Sequence, residues 1–579
     1  MKINKKLFLF IILNFLCIIV FSQKKVEVIS PVENQTFTDK KSKLPKKVKD
    51  LAILEEKLRY YVDYYKSVGY ITFSVDSIAE TDHKFEVYIF PGRKYGTTDI
   101  TIPEEDRLLL GQTNTSGFLD QGRLPVGRYP AFASKLVNTL GNTGFPFAEV
   151  YLDSIIIEDN NIHSRLVVNK KQYIVFDSII LKGNLKLAKS YLYPYLGLRR
   201  NKAYNENAVR QVPAKIAELP FATEMRSSGI EFVADKAYLY LFLDKVRTNQ
   251  FDGYIGLVPV NEETGKVTLN GELNLGLKNI FTLGESISLQ WRSPGKYSQY
   301  LNINADFPYL LWTPFGINGN FILDKTDTSY VTMNYTLGLQ YSFKGNNYLK
   351  IYFDQATSNI LAPGLLAVSE GNFSYIDYRR TMYGVEFVLR KLDYLYNPRK
   401  GFSLLVNGSV GKMNIIRNSK AEEGFYDDVE MSTLRYRIQG LLRGYIPMHP
   451  RWVMVLGADG GALFGNQHVA NEMFKFGGMR TFRGFDENSI QADAYVIGLW
   501  ELRFIFARKS YINAFFNGAW YEKNLSTQYL RDTPFGFGIG IAFDTKAGMF
   551  NLSYALGKQL GNPISFKSGK IHFGIVMNF

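Results

Sequence analysis

From about Asn249 to the end of the chain, apolar and polar positions alternate. In Val331–Phe343 every odd position is apolar and every even one is small or polar. Val267, Leu269, Leu273, Leu275 and Leu277 share one side of a second stretch, and Thr268, Asn270, Glu272 and Asn274 share the other. A repeat of two is the period of a pleated strand. About sixteen such stretches fit into 247–579, at roughly 21 residues each with its connection. A soluble sandwich would also alternate. Strands near ten residues and an apolar face rich in Tyr, Phe and Leu favour a barrel in lipid. There every unpaired N–H or C=O costs several kcal/mol, so the sheet must close on itself. The pattern predicts a transmembrane antiparallel β-barrel of about 16 strands, preceded by α+β modules.

Those modules come from the first half. Leu54, Leu58, Tyr61, Val62 and Tyr65 recur at helical spacing, and Ile71–Val75 reads as a strand. Phe132, Leu136, Val137 and Leu140 repeat the helix, and Ala148–Leu152 repeats the strand. Val75-Asp76-Ser77-Ile78 is echoed 77 residues later by Leu152-Asp153-Ser154-Ile155. A third unit opens at Tyr173 with Ile174–Ile179, then helices near 187–196 and 206–219 and strands near 229–233 and 238–243. Tandem α/β modules are expected at 51–97 (partial), 98–172 and 173–246.

The N-terminus is basic through Lys6, then apolar from Leu7 to Phe21 apart from Asn14, with the small Ser22 after it. Residues 1–22 read as an export signal peptide. Leu16 is too large for a lipobox before Cys17, the only cysteine. Residues 23–50 are lysine-rich and read as a basic flexible leader. Beyond residue 22 no run of 18 apolar residues offers a spanning helix. The formal net charge of +14 raises nucleic acid as a partner. In an exported β protein it reads instead as a solvated surface facing anionic lipid, and no nucleic acid is expected. No Gly-x-Ser-x-Gly or P-loop occurs, and His83, His163, His449, His468 and His572 are scattered. No enzymatic activity, cofactor or metal is expected.

One segment breaks the alternation: Phe474-Lys475-Phe476-Gly477-Gly478-Met479-Arg480-Thr481-Phe482-Arg483-Gly484-Phe485-Asp486, between strands eleven and twelve. The next strand carries Trp500-Glu501-Leu502, and the one after it Phe515-Phe516-Asn517. The chain ends Ile571-His572-Phe573-Gly574-Ile575-Val576-Met577-Asn578-Phe579. Arg483-Gly484-Phe485 resembles the Val-Arg-Gly-Phe loop of the BamA/TamA superfamily of outer-membrane assembly and translocation proteins, with Phe482 at the aliphatic position. Asp393–Gly401, with Asn397-Pro398, resembles another connection of that family. The order β-α-α-β-β resembles its POTRA domains, and the third unit fits best.

The resemblance implies a loop of Gly477, Gly478, Arg480, Phe482, Arg483, Gly484 and Phe485 folded into the lumen. Arg483 would pair with the wall residue Glu501, so that Arg483→Ala unlatches the loop. Asn517 stands where the family often has Asp, which leaves one carboxylate and an amide. His572, Gly574, Met577 and Phe579 match the family's terminal β-signal. The implied setting is the bacterial outer membrane, with the modules in the periplasm. The implied function is capture of unfolded outer-membrane or exported clients by the modules, then insertion or export through the barrel or its seam. Lipid bilayer or lipopolysaccharide and a periplasmic or inner-membrane accessory protein are further expected partners. A two-partner secretion transporter for one exoprotein and a passive channel are the alternatives.

Overall fold

The structure is a computed structural model. It describes residues 24–31, 37, 40–42, 44–113, 115–261, 266–295, 297–344, 347–362, 374–394, 397–421, 425–427, 429–507, 510–525, 528–545, 548–561, 564 and 569–578. The expected signal peptide, 1–22, and Phe579 lie outside the described residues. The chain divides into two compact units, and the cut passes through the third module.

In the first module, helix Leu51–Ser67 is capped by Asp50, whose side chain accepts a hydrogen bond from the Ile53 N–H at 2.9 Å. Its stripe Leu54, Leu58, Tyr61 and Tyr65 is buried against Phe73, Phe85, Val87 and Ile89. The sheet order is Lys47–Val48, Lys24–Ile29, Lys84–Phe90, Ser74–Glu80. This corrects the reading of 23–50 as a flexible leader. Lys24–Ile29 is a strand, parallel to Lys84–Phe90, and it supplies the opening strand that a start at residue 51 lacked. Charge hid the pattern: Val26 and Val28 pack against the core while their neighbours face water. Lys25 and Lys84 both donate to Glu27, at 2.7 and 2.8 Å, and hold its carboxyl down at about 2. These lysines are paired within the sheet.

The second module has strands Thr97–Thr101, Arg123–Pro125, Glu149–Glu158 and Asn161–Asn169. Helices Glu104–Gln112 and Tyr129–Asn142 flank them, with Phe132, Leu136, Leu140 and Leu166 in the core. Glu149–Glu158 is an edge strand. The echo noted in the sequence marks a shared irregularity, because the register shifts between Val75 and Ser77 and again between Asp153 and Ile156. The third module's sheet runs Lys202–Ala203, Val175–Lys182, Lys236–Lys245, Ala222–Val233, with helices Lys189–Leu196, Glu206–Arg210 and Val212–Ala217.

The rest is a closed antiparallel barrel. Its strands are β1 Gln250–Asn261, β2 Lys266–Lys278, β3 Ser286–Gly295, β4 Ser298–Phe307, β5 Phe315–Thr326, β6 Tyr330–Lys344, β7 Asn347–Ile360 and β8 Tyr378–Leu392. Then come β9 Gly401–Ile415, β10 Ser432–His449, β11 Trp452–Phe464, β12 Ala494–Ala507 and β13 Ser510–Leu525. The last are β14, broken into Gln528–Asp532 and Phe535–Thr545, β15 Gly548–Lys558 and β16 Lys570–Asn578. Both pieces of β14 pair with β13, so the strands number sixteen, as the alternation predicted.

The two faces separate as lipid requires. On β6, Tyr335, Leu337, Leu339, Tyr341 and Phe343 are exposed on the outside. Thr336 between them donates to Asp354 at 3.0 Å. Tyr352 donates to Asn407 at 2.6 Å, and Thr332 and Ser358 share a hydrogen bond of 2.9 Å. A polar lumen wall under an apolar exterior fits a closed sheet in lipid. Closure is uneven. Among the described residues, β1 pairs with β2 over eleven residue pairs but with β16 over two, Gln250 with Asn578 and Phe251 with Met577.

Candidate functional site

The connection from β11 to β12 folds inward. It carries a 3-10 turn, Ala470–Glu472, and a small hairpin of Phe474–Phe476 with Ile490–Ala492. The tip is set by glycine. Gly477 has φ +129°, and a Cβ there would lie 2.3 Å from the Asp486 carbonyl oxygen. Thr481 closes the turn, accepting from the Gly477 N–H at 2.9 Å and donating to the Gly477 carbonyl at 2.8 Å. Gly478 also has positive φ, and Arg480 is exposed. Phe482 is fully buried and stacks on Phe485 with ring centroids 4.6 Å apart.

Arg483 meets the wall. Its guanidinium donates to Glu501 of β12 at 2.7 Å and lies 3.5 Å over the Phe515 ring of β13. Glu501 is nearly buried and serves a second cation: Arg503 donates to its other oxygen at 2.6 Å. Arg503 in turn lies 4.6 Å over Tyr511 and donates to Asn397 at 3.4 Å. One carboxylate therefore joins the lumen loop to the β8–β9 turn. Asn517 donates to the Arg483 carbonyl at 2.9 Å. An ionised aspartate there would have no proton to donate, so the amide holds the loop's backbone instead of adding a second acid.

Gly484 lets the loop approach the wall. Its φ is +100°, and a Cβ would fall 2.9 Å from the Leu556 carbonyl oxygen of β15. Gly484→Ala is expected to cost about 1–3 kcal/mol in strain. The check is the urea midpoint of the folded, heat-modifiable gel band, and an unchanged midpoint would show that the tip does not seat there.

The loop has a second anchor. Glu472 is buried and receives Arg380 of β8 at 3.3 Å and Arg435 of β10 at 3.1 Å. Arg380 also pairs with Asp354 of β7 at 3.4 Å. Asn471 donates to Ser358 and to the Ile376 carbonyl, both at 2.8 Å. Arg437 of β10 lies 4.2 Å over the Phe474 ring. Sequence reasoning missed this cluster. The available signal was a lone acid, Glu472, inside Val469-Ala470-Asn471-Glu472-Met473-Phe474, an otherwise charge-free run. Arg503 was also legible, because position i+2 shares the lumen face with Glu501.

Further contacts spread the loop across the lumen. Lys475 reaches Asp324 of β5 at 2.7 Å, and Glu487 lies 3.6 Å from Arg292 of β3. At the seam, Asp486 pairs with Lys570 of β16 at 2.8 Å, and a Cβ on Gly574 would lie 3.7 Å from Met479 Cε. Burial pushes His468 below its ordinary value although Asp493 lies 3.9 Å away. Of the terminal residues, His572 and Gly574 lie in β16, and Met577 sits opposite Phe251. Among the described residues no group of His, Cys, Asp and Glu is placed to hold a metal ion.

Comparison with known proteins fits this architecture. No curated protein matches the chain. The chain is similar to CdiB from Escherichia coli, at 15% identity and a TM-score of 0.53, over 91% of this chain and 97% of that one. It is similar to CdiB from Acinetobacter baumannii at 14% identity and a TM-score of 0.51, over 84% and 90%. A BamA from Haemophilus ducreyi lacking POTRA domains 1–3 aligns at 17% identity and a TM-score of 0.43, over 84% and 100%. The Omp85 superfamily domain matches residues 279–579, a span that contains the lumen loop, both of its anchors and the last strand. The chain belongs to the Omp85 superfamily, whose β-barrel members are outer-membrane proteins that handle protein clients.

Proposed function

We propose that this chain inserts or exports unfolded protein clients at the outer membrane, with its α/β modules in the periplasm after removal of residues 1–22. The observation that carries the reading is the unequal closure of the barrel. Among the described residues, two residue pairs join β16 to β1, against eleven between β1 and β2. A short ladder is the cheapest place to part a closed sheet, and parting it offers unpaired N–H and C=O groups to a client strand. Asp486 and Lys570 bring the lumen loop to the same edge. The energy comes from client folding and lipid burial, and no covalent step is needed.

Client capture has a candidate surface on the second module. The edge strand Glu149–Glu158 carries Ile155, Ile156 and Ile157 in succession, each more than half exposed. An exposed edge with apolar side chains suits addition of an extended peptide strand. Ile156→Lys should change the module's stability by less than about 0.5 kcal/mol, because the site is on the surface. It should also reduce photo-crosslinking of an unfolded barrel fragment to this edge. Undiminished crosslinking would place capture elsewhere.

The deciding experiment is quantitative proteomics of outer membranes and culture medium after depletion. Loss of several barrel proteins supports assembly. Loss of one exported protein, with the membrane proteome intact, identifies two-partner secretion through the lumen. No change in either fraction overturns both readings.

A further inference from the structure

The barrel end that receives the chain from the third module carries a cavity of about 460 Å³. Strand parity fixes its position. β1 starts at that end, so the β8–β9 and β10–β11 turns and the end of β12 also lie there. The cavity is lined by Asp393, Asn397 and Arg399 of the first turn, Arg451 of the second, and Ile505 and Phe506 of β12. Arg399 donates to the Pro450 carbonyl and so joins the two turns. Among the described residues the Arg451 side chain has no hydrogen-bond or ion-pair partner. The one acid is engaged by its own turn: Asp393 accepts from the N–H groups of Arg399 and Lys400 at 2.9 and 3.1 Å. Asn397 is buried, and among the described residues its Nδ2 finds no acceptor.

The surroundings are apolar on the lipid side. Phe506 and Trp452 are exposed on the outer face, and Trp452 packs on Phe504 with ring centroids 5.1 Å apart. A cationic cavity at the rim, continuous with an apolar belt, suits a ligand with an anionic head and acyl tails. We infer that this cavity holds the phosphate headgroup of an anionic phospholipid from the leaflet on the module side. Arg399 and Arg451 contact the phosphate, and the acyl chains lie along Trp452 and Phe506. A guanidinium is the side chain best shaped for a phosphate, because its fork donates two parallel hydrogen bonds. The inference takes the leaflet from the proposed membrane setting, but it does not depend on clients.

The test uses the full chain in detergent and native mass spectrometry with dioleoylphosphatidylglycerol or dioleoylphosphatidylcholine. Wild type is expected to retain one phosphatidylglycerol through detergent washing and to retain phosphatidylcholine more weakly. The R399Q/R451Q double variant, verified as folded by heat-modifiability, should lose about tenfold in phosphatidylglycerol affinity, as expected when charge-assisted hydrogen bonds are removed. The R451Q single variant is the fallback if the double variant does not fold, and it should show the same direction. Displacement of the lipid by millimolar inorganic phosphate alone would overturn the lipid assignment. Equal retention of both lipids, or equal retention by wild type and variants, would overturn the site. A client-handling defect with normal lipid retention would bear on the proposed function alone.

Discussion

Glu472→Ala is expected to destabilise the barrel by about 3–5 kcal/mol, because it breaks a buried ion pair and leaves its partners uncompensated. Arg380, Arg435, Asp354 and Glu472 form a charge-balanced group of two cations and two anions. Removing Glu472 leaves Arg380 with Asp354 and strips Arg435 of its carboxylate, with the Gln467 carbonyl as its remaining acceptor and Arg437 close by on the Phe474 ring. Arg435 is almost completely buried, so water cannot readily replace the lost carboxylate. The midpoint of urea unfolding, followed by the heat-modifiable gel band, should fall sharply. Protease cleavage within 465–493 should appear under conditions where wild type resists. Glu472→Gln keeps an acceptor while removing the charge, and it should fall between the two. A wild-type midpoint for Glu472→Ala would mean that this cluster does not hold the loop.

Glu501→Ala should be of similar size, again about 3–5 kcal/mol, and clearly worse than Arg483→Ala. The order follows from the geometry. Removing Arg483 leaves Glu501 paired to Arg503 at 2.6 Å, whereas removing Glu501 leaves two guanidiniums without a carboxylate. Arg483→Ala also leaves the Asn517 bond in place, because that bond goes to the backbone carbonyl. The loop should then stay seated through Glu472. The motif by itself leads to unlatching by Arg483→Ala alone, whereas the second anchor at Glu472 predicts a loop that stays seated. A double-mutant cycle on Arg483 and Glu501, read as the same urea midpoints, measures the pair. Equal effects for the two single variants would mean that Arg503 does not share the carboxylate.

Much of this was legible in the residues, and the reason is periodicity. Alternation along β6 alone separates Leu337 and Leu339 from Thr336, and membrane and lumen demand opposite chemistries of the two faces. The glycines and Arg483 of the tip stood out because they interrupt that alternation. Glu501 was reachable through the resemblance, which implies a wall glutamate on the strand after the loop. Lys24–Ile29 was lost for the converse reason. Three of its six residues are charged, and a strand whose inward side chains are only Val26 and Val28 is too short for periodicity to outweigh composition.

By itself, then, the sequence determined the strands, their number, the face each residue takes and the loop that departs from them, since these follow from local period and local chemistry. Tertiary structure decided which distant charges meet. Glu472 finds Arg380 and Arg435 from positions 92 and 37 residues away. Arg503 reaches Asn397 across 106 residues. Nothing in local spacing encodes such pairs, because the register of sixteen strands and the path of one loop are set only when the sheet closes. The two-pair seam between β1 and β16 has the same origin, since it joins the two ends of the barrel sequence.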